Sequence, residues 1–471
     1  MEPNPAIERA MESVAAAAPR AAADPARPVY HFRPPAQWMN DPNGVIYHNG
    51  WYQLFYQFNP FGDEWGHIHW GHARSRDLVQ WEYLPIALWP SQEQGEAHCF
   101  SGCAAVNGRG EPMLFYTSVF GPRENRPANQ QWAALGDPDW LTWRKYPANP
   151  ILSLANHGGP PFEGDWRDPF IFVEEGRTFL VLGGVYENIA GVALYEATDE
   201  TLAHWRYRSL LYQQPRDQVG FLECPNFTRL GEKWILLTSP YRPVKYVTGT
   251  FDFDTLTFVP EQQGILDPGA TDVPNYYATN ILFDDTGRCI LLGWVRGFPP
   301  GRGWNGCLAL PRVLTLGADG LPRQQPVAEL QQLRDRHFSA EGIALSAQPL
   351  VLAEATGDTV EVQARIALES SAVVCVDLCR PTGGDHAIPI RYDGSVLTVA
   401  ETEVPLTLEN GVLDLHLFLD KSVLEVFAQD GRVVVTRVIE PGAGGGDVAF
   451  STKGGAATLV SLDLWTMRPV W

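Results

Sequence analysis

The sequence is short of basic residues and of long apolar runs, and both shortages exclude classes of partner. Only 35 lysines and arginines stand against 55 aspartates and glutamates in 471 residues, which gives a formal net charge of −20. A field of that sign repels nucleic acid, and no basic run offsets it. No apolar run is long enough to span a membrane. We therefore expect neither a nucleic-acid nor a membrane partner, and a neutral substrate fits better.

Cysteine is also scarce, and its pattern is not that of a disulfide framework. The seven cysteines are scattered along the chain, and their number is odd. This favours free thiols in a reducing compartment. The first 28 residues lack the basic start and the long apolar core of a secretory signal. We predict a cytoplasmic protein with a loose N-terminal arm over residues 1–28, which contains at most a weak helix ending at Pro19.

Long helical periodicity is nearly absent, and a β-rich repeat takes its place. Four segments share a polar start, a Leu or Val, and an aromatic residue followed by an extended run: RDLVQWEYLPIAL, PDWLTWRKYPANPIL, ETLAHWRYRSLLY and FDTLTFVPEQQGIL. Their aromatics, Trp81, Trp143, Trp205 and Phe258, are 62, 62 and 53 residues apart. Such a period is typical of a propeller blade. With a last unit around ILFDDTGRCILLGWVRG, the repeat predicts a five-bladed β-propeller over residues 29–320.

The residue pattern of the sequence changes after the repeat. Residues 321–336 are predicted to be a linker with a helical turn or two. Residues 337–471 contain alternating strands separated by turns such as YDGS and QDGR, a pattern typical of a β-sandwich. The predicted fold is therefore all-β, a propeller followed by a C-terminal sandwich. The sandwich is interpreted either as a homodimer contact or as a scaffold.

Three acidic residues occupy similar positions in three of the repeat units. Asp41 lies in QWMNDPNGV, where alone it would be interpreted as a turn-capping aspartate. Asp168 lies in RDPF and Glu223 in ECPNF, and the three acids precede the aromatics of their units by 40, 37 and 35 residues. If these positions are on the innermost strands, the three carboxylates face one another in a central pocket.

Clustered carboxylates are suited to acid–base chemistry on a glycosidic bond. Like charges in a desolvated pocket raise at least one pKa. One carboxyl group can then donate a proton to the leaving oxygen while another, still ionised, attacks carbon. Aromatic and amide side chains near the acids would together form a sugar subsite, although core packing is the better interpretation of each aromatic alone. These residues are Trp38, Asn40, Gln57, Trp65, Trp70, Phe100, Ser101 and Arg167.

Several motifs resemble those of glycoside hydrolase family 32, the invertase, inulinase and levanase group. They are WMNDPNG, FYQFNP, WGHIHWGHARSRDLVQW, FSG, WRDPF, ECPNF and LPRVLTL. The segment LDKSVLEVFAQDGRVVVT resembles the C-terminal sandwich of that family. The resemblance extends from about Tyr30 to Trp471. It implies a five-bladed propeller with a sandwich and a retaining mechanism on β-fructofuranosides.

The resemblance also implies roles for individual residues. Asp41 would be the nucleophile, Glu223 the general acid and base, and Asp168 the residue that stabilises the transition state. A retaining pair of carboxyl groups is expected about 5–5.5 Å apart. In NYYAT, Asn275 replaces the family's usual Asp, which affects local hydrogen bonding. The residues expected to line the sugar site are Asn40, Gln57, Trp65, Trp70, Phe100, Ser101, Arg167, Cys224, Tyr277 and Trp294.

Two other chemical interpretations are set aside. His67, His69 and His72 could suggest a metal site, but on a strand residue 72 does not share the face of the other two. Cys224 could suggest a thiol nucleophile, but no Cys–His–Asp arrangement supports it. We predict no metal and no cofactor.

The sequence thus predicts an intracellular β-fructofuranosidase that cleaves sucrose or short fructo-oligosaccharides. Two alternatives stay within the same chemistry: a fructosyltransferase, and an exo-hydrolase of inulin or levan. An alternative of another class is a non-catalytic sugar-binding propeller. The small-molecule sugar is the only substrate or ligand expected.

Overall fold

A computed structural model of the protein describes residues 4–121, 127–269, 273–369, 371–380, 387–440 and 446–471. Strands dominate these residues, as the sequence predicts. All seven cysteines are free and buried, which confirms the expectation of free thiols. No helix in the described ranges is long and apolar enough to cross a membrane.

The N-terminal segment is more ordered than predicted. Helix α1 (Pro5–Ala22) begins with an Asn4 side chain that accepts a hydrogen bond from the Ala6 N–H at 2.9 Å. The helix continues through Pro19, because a proline in the last turn removes only one intrahelical bond. Its apolar face buries Ala10 and Val14, one turn apart, and the helix packs against the first sheet. This tertiary packing explains why the segment is a helix and not a loose arm.

Five sheets follow the helix, antiparallel except for one short parallel pairing in the first, and the first eight strands form most of the first two sheets. They are β1 (Gln37–His48), β2 (Trp51–Asn59), β3 (His69–Ser75) and β4 (Trp81–Leu88), then, after a short 3₁₀ helix (Gln92–Gln94), β5 (Glu96–Val106), β6 (Pro112–Phe120), β7 (Gln130–Gly136) and β8 (Trp143–Lys145). Among these eight, each strand pairs with its chain neighbour in the same sheet.

The third and fourth sheets repeat this order. Their strands are β9 (Arg167–Glu174), β10 (Arg177–Tyr186), β11 (Ile189–Ala197), β12 (Trp205–Pro215), β13 (Glu223–Leu230), β14 (Lys233–Ser239), β15 (Lys245–Asp252) and β16 (Thr257–Ile265). The aromatics of the sequence repeat begin β4, β8 and β12, and Phe258 is the second residue of β16. The repeat therefore marks the last strand of each unit.

The fifth sheet closes the arrangement onto the first. It contains β17 (Tyr276–Phe283), β18 (Cys289–Val295), β20 (Cys307–Leu308), β21 (Arg312–Leu316) and β22 (Pro322–Pro326). The short strand β19 (Trp304–Asn305) instead pairs in parallel with β1 of the first sheet. The first strands of the five sheets, β1, β5, β9, β13 and β17, contact one another in order, and β17 contacts β1 again.

The predicted linker is largely occupied by regular structure. Strand β22 belongs to the fifth sheet, a 3₁₀ helix covers Ala328–Leu333, and the next strand starts at Arg334. The sequence pattern did not predict strand β22, because its buried residue, Gln324, is polar. Gln324 is buried and hydrogen-bonds to Arg312 and to the Leu266 carbonyl.

The C-terminal part consists of two six-stranded sheets that share one apolar core. One sheet has the order β23-β34-β25-β30-β31-β32 and the other β24-β33-β26-β27-β28-β29. Their strands are β23 (Arg334–Leu345), β24 (Leu350–Gly357), β25 (Thr359–Leu368), β26 (Val373–Arg380), β27 (Ile388–Tyr392), β28 (Val396–Val399), β29 (Thr402–Pro405), β30 (Val412–Asp420), β31 (Val423–Ala428), β32 (Val433–Val438), β33 (Gly446–Lys453) and β34 (Ala457–Met467).

A buried ionic cluster joins these sheets to the rest of the molecule. Asp420 accepts hydrogen bonds from the His31 ring and from the backbone N–H groups of residues 29–31. Glu425 binds the other ring nitrogen of His31 at 3.0 Å and Arg312 at 2.6 Å. Arg312 also contacts Asp267 at 3.0 Å. We call these five residues the junction cluster. Burial disfavours protonated His31, but the two carboxylates outweigh it and raise its pKa to about 9.

Candidate active site

Each of the five first strands is irregular where it approaches the others. Register shifts interrupt pairing at residues 39–42, 99–102, 167–170, 223–226 and 277–280. Such bulges bend a strand and re-aim its side chains. The three acids of the sequence analysis, together with Phe100, Ser101 and Cys224, lie within these irregular segments. Local backbone irregularity therefore brings the predicted site residues together.

Asp41 is held by a network of amide and hydroxyl donors. Its Oδ2 accepts hydrogen bonds from Ser101 Oγ at 2.5 Å and from Gln57 Nε2 at 3.3 Å. Its Oδ1 accepts one from Asn40 Nδ2 at 3.0 Å. Burial raises the pKa of Asp41, whereas the bonds from Ser101 and Asn40 lower it. The network therefore favours the ionised, nucleophilic form of a carboxyl group that burial would neutralise.

Asp168 is the most enclosed of the three acids. Its backbone has a left-handed φ of 67°, which is costly for a residue other than glycine. Its N–H donates to Thr117 Oγ1 at 3.0 Å, and its Oδ2 accepts from the Cys224 N–H at 3.0 Å. Burial raises the pKa of Asp168 to about 7; Arg167 opposes the shift, and the Glu223 charge adds to it.

Glu223 is bound on both oxygens. Arg167 Nη2 donates to Oε1 at 2.7 Å, and the Tyr277 hydroxyl lies 2.6 Å from Oε2. The same hydroxyl lies 2.8 Å from the Ser239 carbonyl and accepts the Tyr241 N–H. A phenol has one proton to donate. Tyr277 can therefore donate to ionised Glu223 or, when Glu223 carries the proton, to the Ser239 carbonyl.

The three carboxyl groups are linked by two shared neighbours, the Cys224 sulfur and the Arg167 guanidinium. The Cys224 sulfur lies 3.7 Å from Asp41 Oδ2 and 3.8 Å from Asp168 Oδ2. Arg167 links the other pair, because its Nη2 binds Glu223 while its Nε is 3.8 Å from Asp168. Burial raises the pKa of the Cys224 thiol well above its ordinary value. The thiol therefore stays protonated between the acids and is not a nucleophile.

Aromatic rings lie next to Asn40 and Ser101, two of the residues that hold Asp41. Trp38 and Trp294 meet edge to face with centroids 5.6 Å apart, and the Trp38 indole donates to Asn40 at 2.8 Å. On another side Trp65, which is 51% exposed, packs edge-on to Phe100 at 6.1 Å. Flat apolar faces next to hydrogen-bonding groups suit a sugar ring.

One predicted site residue lies elsewhere, and Asn275 makes a contact of its own. Trp70 does not line the pocket: it is fully buried, and its indole donates to the Phe100 carbonyl at 3.1 Å from behind. Core packing, the interpretation favoured for a single aromatic, is correct there. The Asn275 amide donates to the Arg296 carbonyl at 2.8 Å, a bond that an ionised Asp could not make.

The three histidines set aside as metal ligands have structural partners. His72 Nε2 lies 3.0 Å from Gln53 Oε1, and its ring stacks on Phe55. His69 Nδ1 contacts the His67 carbonyl. Burial lowers the pKa of His69 to about 4 and that of His72 to about 3, so both are neutral.

Sequence reasoning missed three residues that touch the site. The Thr117 hydroxyl fixes the Asp168 backbone, the Phe221 ring lies 3.9 Å under the Arg167 guanidinium, and the Tyr241 hydroxyl contacts Arg167 Nη2. Thr117 and Tyr241 lie far from the acids in sequence, and only tertiary contacts bring them in. Phe221 lies two residues before Glu223, and that proximity was the available signal.

Two family models match the chain. That of the N-terminal domain of glycosyl hydrolases family 32 matches residues 31–326, and that of the family's C-terminal domain matches residues 329–466. The chain is 30% identical to the levanase of Bacillus subtilis (strain 168), over 94% of this chain and 71% of that protein. It is also 30% identical to the sucrose-6-phosphate hydrolase of Escherichia coli, over 93% of this chain and 94% of that protein.

Solved structures agree with the sequence relatives. The GH32 β-fructofuranosidase of Bombyx mori superposes with a TM-score of 0.83 at 28% identity, over 98% of both chains. The exo-inulinase of Aspergillus awamori superposes with a TM-score of 0.83 at 26% identity, over 95% of this chain and 99% of that one. The chain therefore belongs to glycoside hydrolase family 32, whose fold is a propeller followed by a sandwich and whose members are glycosidases that act on β-fructofuranosides.

Proposed function

We propose that the protein is a retaining β-fructofuranosidase that releases fructose from sucrose or short fructo-oligosaccharides. The observation that carries the proposal is the meeting of Asp41, Asp168 and Glu223 around the Cys224 sulfur and the Arg167 guanidinium. Three carboxyl groups on one pocket floor supply the nucleophile and the acid that glycoside hydrolysis with retention needs.

Asp41 is the nucleophile in this proposal. Its carboxylate is supported by Asn40, Gln57 and Ser101, which stabilise the negative charge before attack. It attacks the anomeric carbon of the fructosyl unit and forms a covalent ester, while the bond to the leaving oxygen breaks. Water then attacks the same carbon and releases Asp41.

Glu223 is the general acid and then the general base. It gives its proton to the leaving oxygen in the first step and takes a proton from water in the second. The Tyr277 hydroxyl, which can turn between Glu223 and the Ser239 carbonyl, accommodates both protonation states. Arg167 fixes the direction of the carboxyl group through Oε1.

Asp168 binds the sugar and does not react with it. A carboxyl group that accepts the Cys224 N–H and faces the pocket beside Arg167 can hydrogen-bond fructose hydroxyl groups. Those bonds strengthen as positive charge develops on the ring in the transition state.

We also infer that the propeller has five blades. The inference is supported by five sheets of four or five strands whose first strands contact one another in a ring. It is also supported by β19, which pairs with β1 and joins the last unit to the first.

The function is tested with purified protein and a substrate panel of sucrose, inulin and levan, with products separated by chromatography. We expect free fructose, most rapidly from sucrose. Longer oligosaccharides at high sucrose would identify a fructosyltransferase, and faster release from inulin or levan an exo-hydrolase of fructans. Sugar binding by calorimetry without any turnover would contradict the proposal and identify a binding protein.

Retention is tested separately by adding methanol to the reaction. A retaining enzyme transfers the fructosyl group to methanol and yields methyl β-D-fructofuranoside. The α-anomer as the initial product would contradict the roles given to Asp41 and Glu223, because a single displacement inverts the anomeric carbon.

A further inference from the structure

The loop between β14 and β15 places an aromatic residue at the mouth of the pocket. Tyr241, in the sequence TSPYRPVK, is 55% exposed, yet its hydroxyl contacts Arg167 Nη2. Its backbone N–H donates to the Tyr277 hydroxyl at 2.8 Å, and its φ is 60°, in the left-handed region. The hydroxyl is therefore anchored inside the pocket while much of the side chain stays open to solvent.

These contacts place Tyr241 on the side of the pocket where Glu223 lies. Arg167 Nη2 contacts both the Tyr241 hydroxyl and Glu223 Oε1, so the two oxygens are at most about 6 Å apart. The second anchor, Tyr277, binds the other oxygen of Glu223. The donors around Asp41 are different residues: Asn40, Gln57 and Ser101.

The chemistry of the proposed function says what occupies this side of the pocket. The fructosyl carbon must reach Asp41, whereas the leaving oxygen must be within hydrogen-bond reach of Glu223. The rest of the leaving sugar then extends past Glu223 toward solvent. A partly exposed phenol ring next to that path offers a flat apolar face on which the C–H groups of a sugar can pack.

We propose that Tyr241 is the platform for the leaving sugar and thereby determines which leaving groups are accepted; this inference rests on the proposed function. The hydroxyl sets the position of the ring through Arg167, and the ring face contacts the sugar. Tyr241 takes no part in proton transfer. Its effect is on recognition of the leaving group and not on the fructosyl unit.

Two substrates with the same fructosyl group separate this role from a structural one. Sucrose carries a glucosyl leaving group, and methyl β-D-fructofuranoside carries only methanol. We expect Tyr241→Ala to lower kcat/KM for sucrose about tenfold, the loss expected when one aromatic contact is removed. For methyl β-D-fructofuranoside kcat/KM should change less than about twofold, because its leaving group is too small to reach the ring.

Further variants keep the test decisive. Tyr241→Phe retains the ring and should keep most of the preference for sucrose, whereas Tyr241→Leu removes the flat face without opening a large gap and should lose it. Phe283→Ala removes another partly exposed aromatic at the far end of β17 and should leave the ratio of the two kcat/KM values unchanged.

The outcomes distinguish the two proposals. If Tyr241→Ala and Tyr241→Leu lower kcat/KM equally for both substrates, Tyr241 only supports the loop. If kcat/KM for sucrose is unchanged, Tyr241 does not contact the leaving sugar. Either result overturns the inference. If the unaltered protein hydrolyses neither substrate, the proposed function itself is wrong.

Discussion

Two buried acidic clusters of the molecule contain similar residues and are built differently. The pocket holds Asp41, Asp168 and Glu223 with one arginine, Arg167. The junction cluster holds Asp267, Asp420 and Glu425 with two cations, Arg312 and His31. Each cluster holds three acids, so the number of acids alone does not distinguish a reactive site from a structural one.

The difference lies in how completely each charge is matched. Asp420 accepts three backbone N–H groups as well as the His31 ring. Burial disfavours the charge of Glu425, but Arg312 and His31 outweigh it and lower its pKa. In the pocket, burial raises the pKa values of Asp41 and Asp168, and in the junction cluster it also raises that of Asp267. The contrast is therefore between Glu425, whose charge two cations stabilise, and Asp168, which keeps the capacity to bind a proton.

Neutralising a pocket acid gives the largest expected effect, and it falls on activity. We expect Asp41→Asn and Glu223→Gln each to lower kcat/KM for sucrose at least about 10³-fold. The melting temperature of Asp41→Asn should not fall, because burial disfavours the charge that this change removes. That of Glu223→Gln should fall, because the change takes a counter-charge from the buried Arg167. Asp254→Asn, at an exposed turn, is the control and should be neutral in both measurements. Activity within about tenfold of the unaltered protein in either variant would contradict the assignment.

Neutralising a junction acid should have the reverse effect. Glu425→Gln leaves Arg312 and His31 buried with a lost counter-charge, which costs about 3–5 kcal/mol of unfolding free energy. Urea unfolding measures this loss of unfolding free energy. The kcat of the folded Glu425→Gln protein should stay near that of the unaltered protein. Glu401→Gln breaks an exposed ion pair with Arg437 and should cost less than about 1 kcal/mol. Equal losses in the two variants would contradict the comparison.

The free energy of unfolding of the protein should depend on pH through Asp168. Its pKa is raised to about 7 in the folded protein, so the folded state binds this proton more tightly than the unfolded state. Its contribution is therefore present at low pH and is lost as the pH rises from about 4 to about 7. We expect Asp168→Asn to be more stable than the unaltered protein by about 4 kcal/mol above pH 7, and nearly equal to it at pH 4.

An exposed aspartate provides the opposite sign as a control. Backbone N–H groups of residues 395 and 396 lower the pKa of Asp393, so its contribution is present above about pH 4 and is lost on acidification. Asp393→Asn should therefore lose stability at neutral pH and approach the unaltered protein in acid. Parallel pH profiles for the two variants, measured by thermal unfolding, would contradict the stated cause of the Asp168 shift.

The smallest effect is expected at Asn275. Asn275→Asp restores the residue usual in the family but replaces a donor to the Arg296 carbonyl by an acceptor. The loss should be about 1 kcal/mol of unfolding free energy, with kcat reduced by less than about threefold. Asn275→Ala, which lacks both donor and charge, is the matched variant. Higher stability in the Asp variant than in the Ala variant would show that the carbonyl contact is unimportant.

Much of the pocket was predictable, because its residues lie in the repeat. The aromatics at one-unit intervals mark the last strands, and the acids counted back from them lie on the first strands that meet. The junction cluster was not predictable. Its members come from residues 31, 267, 312, 420 and 425, and only tertiary contacts bring them together.

The errors have local physical causes. Pro19 suggested a helix end, but burial of Ala10 and Val14 against the first sheet extends the helix beyond it. Trp70 lies among polar motif residues, yet it packs in the core against Phe55 and Tyr116. Tyr241 carries no signal in sequence, since its contact with Arg167 depends on a left-handed residue in a loop.

The pairing of β19 with β1 has a consequence for the order in which the enzyme matures. The strand that carries Asp41 receives this neighbour from residues 304–305, more than 260 positions later in the chain. Before residues 304–305 have been synthesised, the strand that carries the nucleophile has no pairing partner on one of its two edges. The first of the three acids to be synthesised is thus locked in place only after residues 304–305 have been added, and hydrolytic competence arises no earlier than that.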